Sequence, residues 1–130
     1  MDETGMGIKI ITGGVTAARG FKAASTAAGI KYKDRQDMAM IYSQEPCRSA
    51  GTFTTNIVKA APVKWDKNQV TSGAPARAVV INAGIANACT GEEGMGYCGQ
   101  TAEAAALALG ISAESVLVAS TGVIGMQLPM

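Results

Sequence analysis

Residues 77–120 read RAVVINAGIANACTGEEGMGYCGQTAEAAALALGISAESVLVAS, and this stretch decides the fold class. It opens with an apolar run at residues 77–81 that is typical of a strand, and it closes with a run at 116–120 that predicts a strand buried on both faces. Interleaved strands and helices predict an α/β fold, or an α+β layered sandwich, in which helices cover a layered sheet. The helix is predicted because apolar side chains recur at the spacing of one helix face: Met95, Cys98, Ala102, Ala105 and Leu109.

The ends of the predicted helices carry capping signals. Thr90 and Glu93 have the spacing of a capping box, in which each side chain accepts a hydrogen bond from a backbone amide at the helix start. Gly110 is a natural C-cap for the same helix. An earlier, shorter helix is predicted from Pro62, in its first turn, to Gly73, just past its end.

Further strands are predicted in the N-terminal half of the chain, where short apolar or threonine-rich runs alternate with turn formers. Pro46 is expected to end one of them. Residues 1–12 are interpreted as a leader followed by a first short strand. The predicted strands are residues 8–11, 20–30, 37–42 and 49–55.

Composition excludes several classes of protein. A chain of 130 residues with 48% hydrophobic and 16% charged residues forms one globular domain. Its net charge of +1 argues against a nucleic-acid partner, which requires a basic excess on one face. The basic residues clustered at 31–35 are interrupted by Asp34, and we interpret them as a solvated loop between two strands.

The cysteines and the N-terminus indicate the compartment. Cys47, Cys89 and Cys98 are odd in number and irregularly spaced, so we interpret them as small apolar packing residues in a reducing environment. The acidic start Met1-Asp2-Glu3 is unlike a signal peptide, and no apolar run is long enough to cross a membrane. We therefore expect a cytoplasmic protein with no membrane partner.

The absence of histidine removes many mechanisms, including a Ser-His-Asp or Cys-His pair within this chain. It also weakens any prediction of a metal site. Residues 94–99 match GxGxxG, but they lie too far beyond the strand at 77–81 and inside the predicted helix, so we expect no dinucleotide cofactor. Asn82, Asn87 and Thr90 follow that strand, in a place where loops often carry function, but we favour their interpretation as ordinary turn formers.

Thr121 and Gly122 are the best local candidates for chemistry. They are predicted to lie where the strand at 116–120 breaks off into a glycine-flanked turn. Two amides, or one amide and the Thr121 hydroxyl, would form an oxyanion hole. On spacing alone, a plain strand-to-turn interpretation remains the favoured alternative.

Four segments of the chain, in the order given at the end of this paragraph, resemble segments of the ornithine acetyltransferase family. The resemblance covers residues 13–130, which we identify as the N-terminal part of the acetyltransferase α chain. Its most specific motifs are FTTN-x-VKAAPV and STGVIG-x-x-LPM. The segments are GGVTAARGFKAASTAAGIK, FTTNIVKAAPV, NAGIANACTG and VLVASTGVIGMQLPM.

The resemblance implies an activity and its parts. Members transfer acetyl from N-acetylornithine to glutamate in arginine biosynthesis, and some also take acetyl-CoA as a co-substrate. The precursor cleaves itself into an α and a β chain, and the N-terminal threonine of the β chain becomes acylated. The Thr-Gly pair of STGVIG, here Thr121 and Gly122, stabilises the oxyanion. The resemblance also implies an α2β2 assembly. It implies no cofactor, apart from acetyl-CoA as a co-substrate.

This chain departs from the family pattern in three places. Ala18, Ala83 and Ile85 stand where proline, serine and asparagine are usual, and Ile85 puts in doubt any polar role for its position. The apolar end Leu128-Pro129-Met130 predicts a partial domain, completed by missing segments and inactive alone. The alternatives are a related self-processing amidohydrolase and a non-catalytic remnant that binds a partner.

Overall fold

A computed structural model describes residues 7–130 as one mixed sheet with two helices. Two short 3-10 turns, Val15–Ala17 and Ala113–Ser115, join the larger elements. In chain order these elements are β1 (Phe21–Thr26), β2 (Met38–Cys47), α1 (Ala61–Ser72), β3 (Ala76–Ile85), α2 (Gly91–Leu109) and β4 (Val116–Val123).

The sheet has the strand order β1-β2-β3-β4. β1 pairs with β2, and β2 with β3, in antiparallel fashion, whereas β3 and β4 are parallel. Parallel neighbours require a crossover, and α2 supplies it. The strand–helix–strand prediction and the α/β class are therefore confirmed.

The core lies between α2 and one face of the sheet. Ala102 and Ala106 of α2 pack on Val80 of β3 and Val116 of β4, all of them buried. Small side chains let the helix come close to the sheet, so a core poor in aromatic residues still excludes water. The predicted helix face is confirmed, because Cys98, Ala102 and Ala105 are buried and Met95 and Leu109 pack beside them.

The opposite face of the sheet has no helix over it within residues 7–130. Side chains alternate between the faces along each strand, so Val79, Ile81 and Leu117 point to this side, where they remain partly exposed. β4 is also one of the two edge strands of this sheet. The prediction that residues 116–120 are buried on both faces is therefore wrong for the second face.

Two predicted strands are absent from the described chain. Residues 8–11 are irregular and exposed, and they are not part of the sheet described for residues 7–130. The part of the predicted leader at residues 1–6 lies outside the described residues. Residues 49–55 are also irregular. At their end the Thr54 hydroxyl accepts the Asn56 amide, and the Asn56 side chain accepts the Val58 amide. Such local bonds compete with strand pairing.

Two strands run further than predicted. β2 continues through Pro46 to Cys47, because its register with β3 shifts between Tyr42 and Cys47 and the proline falls in that irregular stretch. β3 continues past residue 81 to Ile85, since β4 keeps pairing with it over that distance.

The helix ends confirm one prediction and correct another. α1 has Pro62 in its first turn and Gly73 in the left-handed conformation as its C-cap, as predicted, and Gly110 ends α2 in the same way. The capping box does not form. Thr90 is the N-cap residue but donates its hydroxyl proton to Asn87 Oδ1, while the Glu93 carboxylate accepts from the Tyr97 hydroxyl.

Candidate functional site

Thr121 and Gly122 lie inside β4, opposite Ala83 and Gly84 of β3. The predicted bend at these two residues is wrong, because β3 extends far enough to keep them in the sheet. Gly122 has φ +136°, and a Cβ placed on it would overlap the Gly84 carbonyl group and lie 2.6 Å from Ile85 N. Only glycine fits this close approach of two strands.

Helix α1 occupies the first part of the outer edge of β4 with two adjacent side chains. The Trp65 indole Nε1 donates to the Val116 carbonyl at 3.0 Å, and the Val118 amide donates to Asp66 Oδ1 at 2.9 Å. These two bonds replace those of a neighbouring strand. Beyond Val118, no further α1 side chain bonds to the β4 backbone within residues 7–130.

The second part of this edge is open and presents donors. Backbone groups alternate sides along a strand, so the amides of Ser120 and Gly122 point outward as that of Val118 does, while the Thr121 amide faces β3. Among residues 7–130, the exposed Thr121 hydroxyl has no hydrogen-bond partner. The Gly122 amide and the Thr121 hydroxyl are therefore adjacent donors, and donors of this kind can stabilise negative charge on a carbonyl oxygen.

A cleft of about 390 Å³ runs beside the part of the β4 edge that α1 covers. It ends at Ser120, one residue before Thr121. Its other walls are the start of α1 and the threonine-rich segment before that helix. Thr52, Thr54, Asp66 and Ser120 give it polar groups. The cleft therefore leads along the edge of β4 toward the two donors.

The loop after β3 holds the end of β4 in place. The Ala86 amide donates to the Val123 carbonyl at 2.9 Å, and the Gly125 amide donates to the Ala88 carbonyl at 2.8 Å. Between these bonds lies Asn87, which is fully buried and has φ +48°. The loop thereby fixes the chain on the C-terminal side of Thr121–Gly122.

Asn87 is the centre of a buried polar network. Its Nδ2 donates to the Gly94 carbonyl at 2.9 Å, its Oδ1 accepts the Thr90 hydroxyl at 2.7 Å, and its own carbonyl accepts the Ala61 amide at 3.0 Å. The starts of both helices thus meet at one residue, α1 at its backbone carbonyl and α2 at its side chain. Position 94 requires glycine, because a Cβ there would overlap the side-chain oxygens of Asn87 and Thr90.

The three polar residues interpreted as turn formers have structural partners. Asn87 and Thr90 lie in the buried network, and Asn82 lies within β3 instead of following it. Asn82 donates to the Ile85 carbonyl at 2.8 Å and accepts the Ser120 hydroxyl at 2.5 Å. The GxGxxG match lies within α2, as expected, and its Gly94 packs against the side chains of Asn87 and Thr90.

Burial shifts two ionisable groups near the cleft. It raises the pKa of Asp66, although the Val118 amide partly offsets this effect. The pKa of the Cys98 thiol rises to about 11, first through burial and then through the charge of Asp66, against a bond from Asn87. Cys98 is thus a buried packing residue as predicted, whereas Cys47 is partly buried and Cys89 is exposed, so that prediction is wrong for Cys89.

The sequence interpretation missed Trp65, Asp66 and the threonines of the cleft. Only the FTTN motif pointed to this region, because its Phe53 and Thr54 line the cleft. Within residues 7–130, no helix is both long and apolar enough to cross a membrane, and no cluster of acidic, cysteine or histidine side chains is arranged to hold a metal ion.

Among known proteins, this chain resembles ArgJ proteins in sequence. The ArgJ family matches residues 22–130. The arginine biosynthesis bifunctional protein ArgJ of Gloeobacter violaceus is 52% identical over 120 residues, which are 92% of this chain and 30% of that protein. The protein of the same name from Thermotoga neapolitana is 53% identical over 114 residues, 86% of this chain and 28% of that one. The chain therefore spans less than a third of these relatives.

Two solved structures share the fold. The arginine biosynthesis bifunctional protein of Bacillus halodurans superposes with a TM-score of 0.85 at 39% identity, covering 91% of this chain and 61% of that one. Ornithine acetyltransferase from Mycobacterium tuberculosis, complexed with ornithine, has a TM-score of 0.85 at 49% identity, covering 90% and 63% of the two chains.

Proposed function

This chain belongs to the ArgJ family, and on that premise we propose that it is the N-terminal part of the α chain of a glutamate N-acetyltransferase. The reaction transfers acetyl from N-acetylornithine to glutamate in arginine biosynthesis. The relatives carry the name bifunctional ArgJ, and one solved relative is an ornithine acetyltransferase with ornithine bound. Residues 13–130 form the enzyme part of the chain in this proposal, and acetyl-CoA is a second acetyl donor.

One observation supports the proposal above the others. The Thr121 hydroxyl has no partner within residues 7–130, and strand alternation directs the neighbouring Gly122 amide outward, at the open end of a sheet edge whose other half is covered by α1. Acyl transfer passes through a tetrahedral intermediate with an oxyanion, and preorganised donors lower its energy. The cleft along the same edge gives an extended substrate a path to them.

The remaining groups come from the β chain in this proposal. Its N-terminal threonine hydroxyl attacks the acetyl carbonyl carbon while the α-amine of the same residue accepts the hydroxyl proton. The C–N bond of N-acetylornithine then breaks, and the ornithine nitrogen leaves with that proton. In the second half, the amine of glutamate attacks the acetyl-threonine ester, the C–O bond breaks, and the α-amine passes the proton lost by glutamate to the departing threonine oxygen. A base other than histidine suits a chain that has none.

This scheme makes the α chain inactive alone and places it in an α2β2 assembly. The test is to produce the full-length precursor and to supply N-acetylornithine with and without glutamate. We expect ornithine and N-acetylglutamate to form in equal amounts when glutamate is present. Release of free acetate at the same rate without glutamate would instead identify an amidohydrolase. Turnover by this chain alone would contradict its dependence on the β chain.

A further inference from the structure

The loop between β1 and β2 carries two cations beside one aromatic ring. Lys31 Nζ and Arg35 Cζ each lie 5.0 Å from the centroid of the Tyr32 ring. Both side chains are exposed, and neither forms an ion pair with any of residues 7–130. Two like charges held at one ring repel each other, so an anion bound between them would relieve that repulsion.

Asp37 anchors this loop to the sheet. Its buried carboxylate accepts the amides of Ala28 and Ile30, both at 2.7 Å. Its backbone amide donates to the Thr26 carbonyl at 3.2 Å, and its carbonyl accepts the Ala83 amide at 2.8 Å. The start of the loop is therefore fixed relative to β3, close to the donors described above.

The anchored loop brings Lys31 close to the candidate site. A Cβ placed on Gly84 would lie 3.1 Å from Lys31 Cβ and 4.0 Å from Tyr32 Cδ2, so the loop contacts β3 at this glycine. Gly84 is the partner of Gly122 in β4. Neighbouring strands are about 4.8 Å apart, so the flexible stem of Lys31 begins in contact with the strand position that lies directly beside Gly122.

We propose that Lys31 and Arg35 form a subsite for a carboxylate of the amino-acid substrate. This inference rests on the proposed function, because both N-acetylornithine and glutamate carry a carboxylate beside the reacting nitrogen. The guanidinium of Arg35 can bind a carboxylate through two parallel hydrogen bonds, and Lys31 adds a mobile point charge. The loop is solvated, as its charge pattern predicts, and its two unpaired cations give it a role in binding.

Lys33 supplies a matched control. It lies on the same loop with the same charge, but within residues 7–130 it forms no cation–π pair with the Tyr32 ring. The experiment measures KM for glutamate and for N-acetylornithine separately, in the full-length enzyme, for Lys31→Met, Arg35→Met and the double variant. Since a bond to a charged group contributes about tenfold or more in affinity, we expect KM for at least one substrate to rise by about that factor. We expect kcat to change less than twofold.

The pattern of results distinguishes the possible failures. A rise in KM for glutamate alone, or for N-acetylornithine alone, supports the subsite and identifies which carboxylate it takes. Lys33→Met is expected to leave both KM values unchanged, and Lys31→Arg to restore most of the lost affinity. Unchanged KM for both substrates in the double variant, or an equal rise in Lys33→Met, would overturn the subsite alone. Absence of turnover by the wild-type enzyme would overturn the proposed function.

Discussion

Gly122 packs so closely on Gly84 of the neighbouring strand that a Cβ at position 122 would overlap the Gly84 carbonyl group. We expect Gly122→Ala to destabilise the protein by about 2 kcal/mol or more, because the added methyl group must separate β3 from β4. Gly125→Ala is the control, since Gly125 also has positive φ but faces open space. It is expected to cost about 1 kcal/mol. Equal losses in thermal or urea unfolding would show that the close approach is unimportant.

The free hydroxyl of Thr121 predicts a specific loss of activity. In the complete enzyme, Thr121→Ala is expected to lower kcat by roughly 10²–10³, because one oxyanion donor is lost, with little change in KM. Thr121→Ser keeps a hydroxyl and is expected to retain most of kcat. Steady-state kinetics on both variants tests this. An unchanged kcat in Thr121→Ala would assign the stabilisation to backbone amides and remove the hydroxyl from the mechanism.

The buried network at Asn87 predicts opposite effects for two glycines of α2. A Cβ on Gly94 would lie 2.7 Å from Thr90 Cβ and overlap the Asn87 and Thr90 oxygens, so Gly94→Ala is expected to destabilise by about 2–3 kcal/mol. A Cβ on Gly96 would meet nothing within 4 Å. Gly96→Ala is therefore expected to stabilise by about 0.5–1 kcal/mol through helix propensity. A stable Gly94→Ala protein would mean that the network rearranges freely.

Asp37 predicts a loss of stability in acid. Burial acts to raise the pKa of its carboxyl, but the Ala28 and Ile30 amides outweigh burial, and the pKa lies below the usual 3.8. The ionised form is thus favoured in the folded state, so its contribution is present above pH 3.8 and is lost as the pH falls through the lower folded value. The difference in unfolding free energy between wild type and Asp37→Asn should be larger at pH 7 than near pH 3. A constant difference would contradict this account.

The cysteines are expected to differ in reactivity. With a pKa of about 11, Cys98 is only about one thousandth thiolate at pH 8, and it is also buried. Cys89 is exposed. Iodoacetamide at pH 8 should therefore modify Cys89 and leave Cys98 intact until the protein unfolds, as mass spectrometry of the peptides can show. Early labelling of Cys98 would mean that the region around Asn87 opens readily.

Local patterns explain why much of the fold could be predicted. The helix face around Ala102 and Ala105 depends only on spacing along one helix, and the end of α1 at Gly73 depends on one residue's conformational freedom. The apolar runs that became β3 and β4 depend on composition within a few residues. Such features are decided by neighbours in the chain, so the sequence carries them directly.

The errors occur where a distant partner decided the outcome. Residues 8–11 look like a strand but do not join the sheet of residues 7–130, and β3 passes through a turn-like NAG segment because β4 pairs with it. Thr90 and Glu93 have the spacing of a capping box, yet Asn87 and Tyr97 offer their side chains other partners. The residue pattern within one segment does not show where a distant segment of the chain will lie in the fold.

For the candidate site, too, one part could be predicted from the sequence and another part could not. The sequence by itself determined the α/β class, the main helix and the choice of Thr121–Gly122, the last through a motif shared with a family. Only the tertiary structure decided that these two residues lie in an open sheet edge, that Trp65 and Asp66 close the other half of that edge, and that Lys31 lies against Gly84. The physical reason is that hydrogen bonding and close packing between strands join residues far apart in the chain.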